Sequence, residues 1–103
     1  MNNEVQLDIN VKATKVKFIG DDQIVCKFEI YDKKFYCGLA SYNAIVEFKV
    51  FEMHECMPSM IPMYKTDIED FSKEGLFEAI KTFTLYYYSI NTDNTEDVVI
   101  ANV

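Results

Sequence analysis

The chain has 103 residues, half of them apolar and 15% aromatic, with a formal charge of -7 and no arginine. That length holds one domain with one modest core and no second folded unit, and the apolar content excludes disorder. Acidity without a guanidinium fork argues against direct nucleic-acid contact, and no apolar run nears the ~20 residues of a membrane helix.

Charge is unevenly placed along the chain. Residues 1–50 carry seven lysines against seven acids, whereas residues 51–103 carry Lys65, Lys73 and Lys81 against ten acids. Such asymmetry bears on partners and not on fold. The cysteines Cys26, Cys37 and Cys56 cannot all pair within one chain and are read as reduced thiols. Met-Asn-Asn-Glu-Val-Gln lacks the basic and apolar regions of a signal peptide, so a cytoplasmic location is expected.

In chain order, Val5, Leu7, Ile9 and Val11 alternate with polar residues and predict one half-buried strand, extended by Val16 and Phe18 after an irregularity at Ala13 and Thr14. Gly20-Asp21-Asp22 is a turn signal, and Ile24, Cys26, Phe28 and Ile30 then alternate, completing a hairpin. Asp32-Lys33-Lys34 predicts a second turn before a strand at Phe35 to Leu39 interrupted by Gly38. Between Ser41 and Cys56, Ser41 could cap a helix, but the β-branched and aromatic content favours a strand. Pro58 and Pro62 predict a loop. Thr66-Asp67-Ile68-Glu69 has capping-box spacing, so a helix is expected to start there, with Leu76, Ala79, Ile80, Phe83, Tyr87 and Ile90 on one face.

The expected fold is therefore α+β: a small antiparallel sheet of three to five strands with one long amphipathic C-terminal helix packed on one face. Its boundaries are strands within about residues 4–56, a loop at 57–65, a helix over about 67–89 and a short terminal strand or tail at 96–103, all in a single domain.

Two segments stand out as contact candidates. Asp70, Glu74 and Glu78, preceded by Asp67, would form an acidic helical ridge, which local stability does not favour. The segment from Met53 to Met63 holds four of the five methionines; Met57, Met60 and Met63, with Tyr64, read as an adaptable apolar contact surface. The same segment carries His54 and Cys56, which with Cys26 and Cys37 have the ligand chemistry of a Cys3His zinc site but not its paired short spacings. Tyr86-Tyr87-Tyr88 fans across three helix directions, so one ring should reach the surface. With one histidine and no Ser-His-Asp, Gly-rich or His-Glu-x-x-His pattern, no enzymatic activity and no cofactor are expected.

The functional expectation is a non-enzymatic, acidic protein-binding module, in its specific form a small inhibitor or immunity-type protein that blocks a basic surface of a larger partner, acting as monomer or homodimer. Its strongest version is nucleic-acid mimicry. The alternatives are a metal- or thiol-dependent binding protein built on His54, Cys56 and the nearby methionines, and a structural subunit assembling through a sheet edge such as Val5 to Val11.

Overall fold

Four reversals in which a residue enters the left-handed region, at Gly20, Tyr31, Asn43-Ala44 and Glu55, turn the N-terminal part of the chain into an antiparallel meander. The computed structural model describes residues 4–91. Its strands are β1 (Val5–Asp8), β2 (Val11–Ala13), β3 (Lys17–Ile19), β4 (Gln23–Ile30), β5 (Lys33–Tyr42), β6 (Ile45–His54), β7 (Met57–Pro58) and β8 (Tyr64–Ile68), followed by α1 (Lys73–Asn91). All form one antiparallel sheet, ordered β1-β2-β4-β5-β6-β7. β3 takes the other end of the β4 edge beside β2, and β8 takes the other end of β6 beside β7.

The α+β class with a helix packed on an antiparallel sheet holds, but eight strands replace the expected three to five. The extra ones come from edges broken into pieces. Between β2 and β3 the ladder lapses, and Thr14 fills the gap: its N–H donates to the Lys27 carbonyl at 2.8 Å, and its hydroxyl oxygen accepts from the Lys27 N–H at 3.0 Å. On the opposite edge the β7–β8 connection over 59–63, with Pro62, interrupts pairing to β6, since proline cannot donate to a ladder.

The expected single strand from Val5 to Val11 is instead a hairpin, because Ile9 and Asn10 form a turn. The side chain of Asp8 accepts from the Ile9 N–H, and the Gln6 amide donates to the carbonyls of Asp8 and Val11. Alternation therefore puts Val11 in the core while Ile9 is exposed. Gly38 does not interrupt β5, and Lys33 and Lys34 belong to it, the turn being Tyr31-Asp32 alone. Ser41 lies in β5 and β6 is a strand, as its composition indicated.

The helix starts later than the capping-box spacing predicts. Tyr64–Ile68 is a strand because the outer edge of β6, from Val46 to Val50, offers it a five-residue ladder. Ser72 is the cap instead: its Oγ accepts from the Gly75 N–H at 3.0 Å, and its carbonyl accepts from the Leu76 N–H at 2.9 Å. Thr66 makes only a long contact of 3.5 Å to the Asp67 carbonyl. The expected loop over 57–65 thus contains β7 and the start of β8, and the terminal strand or tail at 96–103 lies outside the described residues.

The core lies between the sheet and the helix. Ile24, Cys26, Phe28 and Ile30 of β4, Phe35, Cys37 and Leu39 of β5, and Val46, Phe48 and Val50 of β6 face Leu76, Ala79, Ile80 and Phe83 of α1. Phe83 is its centre, meeting Phe28, Phe35 and Tyr64 edge-on with ring centroids 5.7, 5.4 and 5.2 Å away. Removing such a ring from a closed core costs about 3–5 kcal/mol. Thr84 is buried beside it and donates its hydroxyl to the Ile80 carbonyl at 2.8 Å, which leaves no polar atom stranded. Among the described residues no helix is long and apolar enough to cross a membrane.

Candidate functional site

The late helix start dismantles the acidic ridge. Asp67 sits on β8, Asp70 in the connection to α1, and only Glu74 and Glu78 are helical. Glu78 is paired with Lys81 at 3.5 Å on the exposed surface, a contact of at most ~0.5 kcal/mol. Glu74 complements the positive helix N-terminus. These carboxylates are exposed but do not form one row.

The methionine segment divides in two. Met60 and Ile61 are 95% and 76% exposed at a bend bounded by Pro58 and Pro62, and Met57, on β7 just before it, is 67% exposed. Met63 and Tyr64 pack against the core instead; the Tyr64 ring lies 5.2 Å from Phe83 and 4.9 Å from Tyr86. Tyr86 keeps 40% of its surface exposed, while Tyr87 turns inward against Phe35.

The thiols and the histidine do not converge. Cys26 and Cys37 are cross-strand partners on the core face with their Sγ atoms 3.7 Å apart, whereas His54 and Cys56 are exposed at the end of β6 and in the following turn. Among the described residues no three His, Cys, Asp or Glu side chains are grouped to hold a metal ion. Burial pushes the Cys37 thiol well above its ordinary range, with the Cys26 hydrogen bond adding to the effect, so Cys37 is held as a neutral thiol.

The face of the sheet turned away from α1 is the feature the sequence reading passed over. Register places Lys12, Lys17, Lys27, Lys34, Lys49 and Lys65 on it against Glu29, Glu47 and Asp67, and Glu4 pairs with Lys12 there at 3.8 Å. The remaining described residues carry Lys15, Lys33, Lys73 and Lys81 against ten acids. Charge is therefore sorted by sheet face more sharply than by chain half. Glu47 organises one part: it accepts from the Tyr42 hydroxyl at 3.0 Å and pairs with Lys49 and Lys65 at 3.5 and 3.9 Å. The Tyr42 hydrogen bond to Glu47 raises the phenol above its ordinary value. Beside this cluster a shallow hollow of about 200 Å3 is floored by Gly38 and walled by Val25, Tyr36, Lys49 and Phe51.

No family model, curated protein or solved structure matches the chain. Its function is thus argued from these surfaces. The signal for the open face was present in the polar halves of the strand alternations, but only register brings Lys17, Lys49 and Lys65 into line.

Proposed function

We propose that the chain is a non-enzymatic protein-binding module whose anchor is β7 and the bend after it, carrying Met57, Met60 and Ile61. In its specific form it is a small inhibitor that covers a basic surface of a larger protein. The observation that carries this reading is the exposure of three large apolar side chains within residues 57–61, on β7 and the bend that follows it, Met60 almost completely. Exposed apolar side chains gathered at one place mark interaction sites more often than single ones do. Pro58 and Pro62 restrict the backbone of that bend, which lowers the entropy lost on docking. The acids outside the open face supply a surface that steers a basic partner and repels wrong ones.

The test is capture by the tagged full chain from a lysate of its source, repeated with the Met57→Ser/Met60→Ser/Ile61→Ser variant, followed by titration of the recovered protein. The wild type should retain one basic protein whose binding weakens at high salt. The variant should lose about thirtyfold or more in affinity, the cost of a lost hot spot, at an unchanged melting temperature. Equal capture by both proteins would overturn the reading, as would loss of the fold in the variant.

A further inference from the structure

Two adjacent cross-strand rows on the open face have a chemistry that the protein-binding reading does not use. The first row runs Lys17, Val25, Gly38, Lys49, Lys65 from β3 through β4, β5 and β6 to β8, each residue directly paired with the next. The second row is Lys27, Tyr36, Phe51 on β4, β5 and β6. Together they hold four lysines, two aromatic rings and no carboxylate; the acids Glu29, Glu47 and Asp67 lie in the flanking rows. The rows are about 7 Å apart along the strands, and the lysine row spans about 19 Å across five strands.

We infer that this face is a track for a short single strand of nucleic acid. Tyr36 and Phe51 lie 6.3 Å apart, both part-exposed, and offer neighbouring ring faces on which bases can stack. Gly38 beside them leaves the backbone bare; a Cβ there would come within 2.9 Å of the Ile24 carbonyl oxygen and 3.1 Å of the Val25 side chain. Lys17 and Lys27 have no ion pair among the described residues, whereas Glu47, in the flanking row, pairs with Lys49 and Lys65. Lysines of this kind bind phosphates as point charges without reading base edges, so the track is sequence-tolerant. The row of Glu47 and Asp67 bounds the track on one side, while the row on the other side, Lys12, Glu29 and Lys34, keeps a net positive charge. Paired aromatic faces beside a bare backbone favour flat bases over an acidic polypeptide. A second copy would have to dock head to tail, its acidic side on this face, an arrangement that propagates instead of closing. The net charge of the whole chain hides the track, because most acids lie elsewhere.

Fluorescence anisotropy of the full chain with a labelled oligothymidylate about twelve nucleotides long tests the inference. Binding is expected at about 50 mM salt, falling on a log-log plot with a slope of about -2 to -3 toward 200 mM for three or four phosphates engaged. Lys17→Glu/Lys27→Glu and Tyr36→Ala/Phe51→Ala should each weaken it about tenfold or more, the second with little change of salt slope. Glu47→Gln, which frees Lys49 and Lys65, should tighten it. The Met57→Ser/Met60→Ser/Ile61→Ser variant should bind the oligonucleotide as the wild type does, which separates this surface from the protein-binding bend. Absence of binding at low salt overturns the inference. So does equal affinity for a duplex of the same length, equal displacement by polyglutamate, or Glu47→Gln and both double variants binding like the wild type while circular dichroism shows them folded. Self-association abolished by Lys17→Glu/Lys27→Glu, without oligonucleotide binding, would assign the face to a second copy instead.

Discussion

Gly75→Ala is expected to destabilise the protein by about 1–3 kcal/mol, although alanine is the better helix former by about 1 kcal/mol. Gly75 is the third residue of α1, and the carbonyl of Asp70 lies against its Cα. A Cβ built there runs into the Asp70 carbonyl oxygen and comes within 2.9 Å of its carbonyl carbon and its Cβ. Two of these three atoms are backbone, so relief requires moving the chain between Asp70 and Ser72. That segment holds the Ser72 N–H to Asp70 carbonyl bond at 3.0 Å and the Ser72 cap on the Gly75 N–H at 3.0 Å. Overpacking of this kind costs about 1–3 kcal/mol and a disturbed cap about 1 kcal/mol, which together exceed the propensity gain. Urea unfolding followed by far-UV circular dichroism measures the outcome as a lower midpoint at unchanged slope, with a melting temperature lower by about 4–8 °C per kcal/mol. A variant more stable than the wild type by about 1 kcal/mol would refute the close approach of Asp70.

Ser72→Ala should cost about 0.5–2 kcal/mol as a lost helix cap, while Thr66→Ala should stay within about 0.5 kcal/mol; urea midpoints for the pair decide which residue caps α1, and the reverse ranking would restore the earlier start. Burial raises the Cys37 thiol above its ordinary value of 9.0, so the unfolded chain loses that proton first as pH rises. The contribution is full below about pH 9 and falls above it by up to about 1.4 kcal/mol per pH unit until the folded thiol also ionises. Urea midpoints at a series of alkaline pH values should therefore fall more steeply for the wild type than for Cys37→Ala, and equal slopes would place the thiol in contact with solvent.

Much of the core was legible in the sequence because strand burial obeys a period of two and helix burial one of 3.6. Ile24, Cys26, Phe28 and Ile30 declared their face, as did Val46, Phe48 and Val50, and Leu76, Ala79, Ile80 and Phe83 declared the helix stripe. The Gly20-Asp21-Asp22 reversal and the proline-bounded bend were also local matters, set by φ preference and missing donors. Tertiary pairing decided the rest. Thr66-Asp67-Ile68-Glu69 satisfies a local rule for a helix start, yet an open strand edge on β6 claims those residues, and a ladder of backbone hydrogen bonds outweighs one cap. Ile9 obeys the alternation and is nonetheless exposed, because a hairpin turn there resets which side chains face inward. The lysine row of the open face depends on five strands falling into register. Sequence order fixes the charge on each residue, but which charges become neighbours is a property of the sheet.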